Sequence, residues 1–350
     1  MLSEVEGKMV ADLYRLKALT YGQIGELYAG DCGDKAVYRL VEGLENKGLI
    51  RVRVAEWDKR LRYVVLTADG YVLAADLNGA EAAEGYKTPK RGEAYRAVLA
   101  NEFFVKAVAA GFPRERLAAR KEALAFLGLQ PNEASCLMWM ASTKAGRWGV
   151  HIPWKKRPRQ AIERGIMATP ASAIQFHVIV YDNSVRFGRD RIRYAASAPS
   201  MGLHLFTLDM VQKWAAWAAK EMTPEEDLGG LLRAAYPGAV ILPPPADSPG
   251  VCLVRRQRDA LVVDMRFNRV GALNAVLRAV RSGLDRKGWG AGILLIFSDV
   301  KQLKMWSAKL GNWAWALVED QPGAIYRVTD GRPVLLRQGG HFHRLSAAGQ

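Results

Sequence analysis

The residues best placed to do hydrolytic chemistry lie in the last third of the chain. Asp264-Met265-Arg266 falls within an apolar run, Ala260–Phe267, and Asp247 precedes a second strand-like run, Val251–Arg255. Two carboxylates brought to neighbouring strand positions can bind a divalent metal. A lysine two residues on, on the same face, would stabilise an attacking hydroxide or the phosphorane. Here that position holds Arg266, whose guanidinium stays protonated and cannot act as a base. Asp247, Asp264 and Arg266 are therefore the candidate catalytic residues of a metal-dependent endonuclease or nickase, with Glu102 as a candidate third acid. Mg2+ is required only in that alternative, and no other metal or cofactor is expected. The chain has neither a phosphate-binding P-loop nor a dinucleotide-binding glycine pattern. His341 and His343 form the close histidine pair, in a glycine-flanked tail. Tyr181 and Tyr194 have no supporting histidine cluster for transesterification.

Those carboxylates need a scaffold, and the local pattern predicts one. Strand Val251–Arg255 is followed by a tight turn at Gln257–Asp259, then by strand Ala260–Phe267 and helix Val270–Ser282. Strand Ala291–Phe297 and helix Lys301–Leu310 complete a ββαβ order with one further helix. Upstream, Ala173–Val180 reads as a buried strand, with a turn at Asp182-Asn183 and a short partner at Val185-Arg186-Phe187. Leu203–Phe206 is another strand, and Leu208–Met222 an amphipathic helix with Trp214 and Trp217 on its core face. Pro243-Pro244-Pro245 marks a break.

A net charge of +15 points to a polyanionic partner, most often nucleic acid. The charge is unevenly spread. Residues 1–85 sum to −3, residues 86–245 to +10 and residues 246–350 to +8. The densest cluster, residues 144–164, contains Lys144, Arg147, Lys155, Lys156, Arg157, Arg159 and Arg164, with only Glu163 against them, and is interleaved with Trp148, His151 and Trp154. A second basic run holds Arg186, Arg189, Arg191 and Arg193. Cations neutralise phosphate and rings can stack on bases, so both are candidate DNA-contacting stretches. The three cysteines lie far apart, without metal-ligand spacing, which fits a reducing compartment. No apolar run reaches the length of a membrane span, and no basic-apolar-small leader opens the chain. The expectation is a cytoplasmic protein without a membrane partner.

The N-terminal stretch carries the most specific pattern. Glu4–Lys17 has helical apolar spacing, Thr20 with Gln23 forms a capping box for a helix through Tyr28, and Gly30–Asp34 is turn chemistry. Asp34 is read as the cap of a third helix with a Val37, Leu40, Val41, Leu44 stripe, ended by Gly48. Its other face presents Lys35, Tyr38 and Arg39, the candidates for base readout. Two alternating runs, Arg51–Val54 and Arg62–Leu66, flank a polar tip, Trp57–Arg60. Lys59, Arg60 and Arg62 could there straddle phosphates.

The order "ALTYGQIGELY", "DKAVYRLVEGLENKGLIRVR", "LRYVVLTADGY" resembles the N-terminal winged helix of the replication-relaxation family of plasmids and other mobile elements. The likeness continues weakly into Tyr95–Val105. That resemblance implies a nuclease-like second part, and the ββαβ order is indeed similar to the core of the PD-(D/E)xK superfamily. The match departs at Arg266 and at Ala246, which displaces Asp247, so a degenerate core is implied.

The expected fold class is α+β: a winged helix-turn-helix followed by a basic mixed α/β part of restriction-endonuclease-like character. The expected segments are 1–80 (winged helix), 81–92 (linker), 93–245 (basic α/β region), 246–340 (ββαβ region) and 341–350 (tail). The expected function is sequence-specific binding of double-stranded DNA in replication initiation, mobilisation or their control. A nuclease, or a winged helix used for dimerisation in a transcription regulator, are the alternatives. Single-stranded DNA, a second copy of the chain and other replication or mobilisation proteins are further candidate partners.

Overall fold

In the computed structural model the described residues are 2–82, 86, 88–130, 133, 136–153, 159–182, 184–245, 248–255, 259–282, 292–338 and 341–342. The chain divides into two compact units. The first comprises Met1–Ser142, Gly149–Ile162 and Leu208–Ala219; the second comprises Thr143–Trp148, Glu163–Thr207 and Lys220–Gln350. These limits follow three-dimensional contacts and differ from the segments read along the sequence.

The first unit opens with α1 (Glu4–Leu16), β1 (Leu19–Thr20), α2 (Tyr21–Ile24, continued by a π-helical turn Gly25–Ala29) and α3 (Gly33–Asn46). The hairpin β2 (Ile50–Val54) and β3 (Arg62–Leu66) and then α4 (Ala68–Leu77) follow. The three strands form one antiparallel sheet in the order β1-β3-β2. The Thr20 capping box forms reciprocally: Gln23 N donates to Thr20 Oγ1 (3.2 Å) and Thr20 N donates to Gln23 Oε1 (3.0 Å). Asp34 is not the cap of α3. Cys32 holds that place without a side-chain bond, and Asp34 lies in the first turn, where its charge favours the helix dipole. Gly48 ends the helix at φ 70°. Its N–H bonds Glu45 O and the next N–H bonds Leu44 O, the paired closure that favours a glycine.

Helix α5 (Arg91–Ala109) belongs to the same unit and is welded to it by polar contacts. Gln23 Nε2 donates to Val98 O (2.8 Å) and to Glu102 Oε1 (2.7 Å), and buried Asn101 Nδ2 donates to Leu16 O and Ala18 O. Glu102 is thus a structural acceptor, its carboxyl pushed up by burial. The next segment divides into a 3-10 turn (Arg114–Arg116), β4 (Leu117–Ala119) and α6 (Arg120–Leu127). Strand β4 pairs antiparallel with β5 (Leu137–Thr143). Strand β6 is Gly146–His151, and α7 is Arg159–Ala168.

In the second unit β7 (Phe176–Tyr181) is followed by α8 (Ser184–Ala196) and by β8 (Leu203–Thr207), parallel to β7. The strand expected at 185–187 is helix instead. Phe187, Asp190, Tyr194 and Ala195 are its buried positions, a helical period that three alternating residues at its start concealed. The next helix, α9 (Leu208–Ala218), returns to the first unit, where Phe103 and Phe112 of that unit pack on Trp214. Helix α10 is Pro224–Ala235 and β9 is Val240–Leu242. They are followed by β10 (Cys252–Arg255), β11 (Asp259–Asp264), α11 (Val270–Ser282), β12 (Gly292–Phe297), α12 (Val300–Ser307), β13 (Trp315–Val318), β14 (Ile325–Thr329), β15 (Arg332–Gln338) and β16 (His341–Phe342).

Strands β9 to β16 make one eight-stranded sheet in sequence order. Its centre, β11-β12-β13, is parallel and the flanks are antiparallel. Leu228, Leu232 and Ala235 of α10 pack with Val254, Val262, Leu294, Ile296 and Leu317 from the sheet. Helix α11 approaches the backbone so closely that a Cβ on Gly271 would stand 2.0 Å from Ser200 O. Strand β11 ends at Asp264, so Met265–Phe267 is connecting backbone and not strand.

Candidate nucleic-acid interface

The third helix of the first unit exposes Lys35, Tyr38 and Arg39, while Val37, Val41 and Leu44 are buried beneath them. Tyr38 is 54% exposed. Its ring lies 5.2 Å from that of Tyr21, the first residue of α2. Burial raises the Tyr21 hydroxyl pKa, and the charge and hydrogen bond of Arg62 work against that. Arg62 of the hairpin is therefore at the same tyrosine pair as the helix residues. Tyr21 belongs to this face although no sequence pattern had marked it. Its place directly after the Thr20 cap was the available signal.

The hairpin tip is built by its own backbone. Ala55 N bonds Leu61 O, Asp58 N bonds Ala55 O and Leu61 N bonds Asp58 O, while Arg60 N donates to Asp58 Oδ1 (3.0 Å). Lys59, Arg60 and Arg62 are exposed. Trp57 turns the other way, stacking on Tyr63 at 5.3 Å and meeting Tyr95 of α5 edge-on at 5.2 Å. With Leu61 it covers a cluster of Ala18, Ala55, Val65, Ala94 and Val98. Beside Tyr38 lies a cavity of about 380 Å³ lined by Tyr21, Gly25, Glu26, Asp34, Val37 and Tyr38, among others. Lys106 Nζ holds Glu26 at 2.6 Å.

The basic candidates of the second unit have varied surroundings. Lys144 pairs with Glu226 at 3.0 Å on the surface, and Arg147 is partly buried. Arg186 and Arg189 approach buried Asp190 at 3.8 and 3.7 Å. Arg191 lies over the Trp306 ring at 5.1 Å, and Arg193 is exposed. In the first unit Arg159 begins α7, partly buried. Lys155, Lys156, Arg157 and Trp154 lie outside the described residues. Trp148 is not a surface ring for bases. It is 2% exposed, stacked on Phe176 (4.5 Å) and close to His204 (4.8 Å). His151 is likewise buried.

The carboxylate expected to bind a metal is engaged by its neighbour. Asp264 Oδ1 accepts from Arg266 N and Nε (both 3.0 Å), and Oδ2 accepts from Nη2 (2.9 Å). Arg266 Nη1 also reaches Asp227 Oδ2 (2.6 Å) and Glu319 Oε1 (2.8 Å). Burial opposes the charge of Arg266, yet the carboxylates of Asp264, Asp227 and Glu319 together raise its pKa. Burial would raise the Asp264 pKa, but the adjacent guanidinium holds it low. The guanidinium thus fills the centre where carboxylates would meet a cation, and among the described residues no group of three or more metal-ligating side chains assembles. Asp247 and His343 lie outside the described residues.

No family model matches the chain, and no curated protein matches it. Among solved structures, the crystal structure of the S. aureus MepR-DNA complex is similar to part of it. The identity is 25%, over 22% of this chain and 63% of that chain, with a TM-score of 0.21. This chain thus spans less than two thirds of that MepR chain.

Two histidines sit in the core of the second unit. Burial lowers the His177 pKa to about 4. Burial, aided by the charge of Arg269, lowers that of His204 to about 3. His204 Nδ1 is 2.9 Å from Phe267 O, so it carries the proton, and Nε2 is enclosed without a hydrogen-bond partner among the described residues. These are neutral core imidazoles. No described helix is long and apolar enough to cross a membrane.

Proposed function

We propose that this protein binds double-stranded DNA, with its N-terminal unit acting as a winged helix-turn-helix that reads sequence. The supporting observation is a single exposed face on which Lys35, Tyr38 and Arg39 of α3 meet Arg62 of the hairpin through Tyr21. Residues near the start of such a helix reach base edges, and a hairpin with exposed cations can hold the flanking phosphates. The net −3 of residues 1–85 gives this unit little long-range attraction, so the +18 carried by the rest of the chain supplies most of the affinity. The residues that resemble the replication-relaxation family support extending this proposal to a role in plasmid or mobile-element replication, mobilisation or their control.

Binding is expected to weaken steeply with salt. Neutralising Lys59, Arg60 and Arg62 together should lower affinity for all sequences and reduce the salt slope by roughly three. Arg39→Ala should instead lose about 1–3 kcal/mol of discrimination between sites. Fluorescence anisotropy of duplexes over a salt series separates these effects. An Arg39→Ala variant with full discrimination would show that α3 is not the reader.

The grip of Arg266 on Asp264 disfavours the nuclease alternative, because a divalent ion would have to displace a buried bidentate partner. Supercoiled plasmid incubated with the protein and Mg2+ or Mn2+ is expected to stay supercoiled. Nicking that vanished in Asp264→Ala would reverse this conclusion.

A further inference from the structure

The cavity between α2 and the start of α3 has a chemistry of its own, and the inference drawn from it rests on the DNA-binding reading above. Its wall combines two tyrosine rings 5.2 Å apart with two carboxylates, Glu26 and Asp34, and the apolar Val37. Glu26 is already held by Lys106. Asp34 is exposed, and no ion pair or hydrogen bond involves its side chain among the described residues. A carboxylate beside a DNA-reading helix repels phosphate and accepts hydrogen bonds only, so the group of a duplex with which it can pair is a donor on a base edge. In the major groove cytosine N4 and adenine N6 are such donors. Adenine sets the acceptor N7 beside its amino group, which a carboxylate repels. Cytosine sets an apolar C5–H there, which suits the exposed ring of Tyr38.

We propose that Asp34, with Tyr38 beside it, forms a specificity-determining subsite for the N4 amino group of a cytosine in the recognised duplex. Lys35 and Arg39, being donors, take acceptor edges such as guanine N7 and O6. The preferred site therefore contains a C read by Asp34 next to a G read by one of these cations.

The test is parallel selection from a randomised duplex library by the full-length wild-type chain and by Asp34→Asn. Anisotropy then compares the winning duplex with one carrying uracil opposite adenine at the critical cytosine. That exchange replaces the N4 donor by an O4 acceptor. Wild type is expected to lose about tenfold in affinity for the uracil duplex. Asp34→Asn, whose amide can donate as well as accept, should bind the two within about twofold. Retention of the tenfold preference by Asp34→Asn, or an adenine where cytosine is expected, overturns the assignment while leaving DNA binding intact. Absence of any duplex binding by wild type overturns the DNA reading itself, and the assignment with it. Binding of benzyltrimethylammonium that is lost in Asp34→Asn would make the cavity an organic-cation site and also overturn the assignment.

Discussion

Replacing Arg266 by alanine is expected to destabilise the second unit by about 3–5 kcal/mol, the usual cost of stranding buried charge by removing one partner. Arg266 is 3% exposed at its side chain, Asp264 9% and Asp227 12%, so neither aspartate can turn readily to water, whereas Glu319 at 51% can. For a unit of this size the loss corresponds to a fall in Tm of about 10 °C. The pH dependence identifies the cause. In the wild type Asp264 is held below its ordinary pKa, so its contribution is complete above that ordinary value and is lost as pH falls through the folded value. In Arg266→Ala burial is opposed only by the remaining backbone N–H bond and the charge of Arg269, so the Asp264 pKa rises and protonation relieves the variant. Its deficit should therefore shrink between pH 7 and about pH 5. Adding Asp264→Asn to the variant should remove that relief and restore part of the stability at pH 7. Urea unfolding at several pH values measures all three proteins. A loss under about 1 kcal/mol, or a deficit that ignores pH, would mean that the cluster is a surface ornament and not a buried charge network.

The second large effect comes from His177 and His204. Their folded pKa values, about 4 and about 3, lie below the ordinary value near 6.5. Between those limits the unfolded chain takes up protons that the native core refuses. Stability is therefore fully present above about pH 6.5 and falls as pH drops towards 4, by on the order of 3 kcal/mol for each histidine at the lower limit. Most carboxylates titrate below this window, and Glu102, pushed up by burial, is common to wild type and variant, so the difference between their unfolding profiles from pH 7 to 4.5 isolates the two imidazoles. The double variant His177→Phe, His204→Phe should show a flatter profile, whatever it loses at pH 7 from the missing Phe267 contact. A wild-type profile flat across the window, or an equal slope in the double variant, would refute the account.

The sequence made some of this architecture visible and concealed the rest for physical reasons. Helix α11 has the limits read from its apolar stripe, because Leu273, Val276 and Ala279 face the core at helical spacing. The Thr20–Gln23 box and Gly48 were legible because capping is local chemistry, complete within six residues. Val185-Arg186-Phe187 misled because three residues cannot distinguish alternation from the first turn of a helix. Helix α10 and strands β13 to β15 carried no motif that drew attention. The meaning of Asp264-Met265-Arg266 depended on Asp227 and Glu319, contacts across the fold that no local spacing reveals. For the candidate interface, the exposure of Lys35, Tyr38 and Arg39 could be read from helical phase, whereas Tyr21 joined that face only through its contact with Tyr38.

The docking of Trp57 against Tyr63 and Tyr95 has a further thermodynamic meaning. A free hairpin would lose conformational entropy each time it closed on a duplex, at about 1–2 kcal/mol for every backbone residue fixed. Here that ordering is completed when the chain folds, because the indole ties the hairpin to the long helix behind it. On the DNA-binding reading proposed above, the cations at the tip would meet phosphate as a rigid template, with no ordering of the loop left to oppose association.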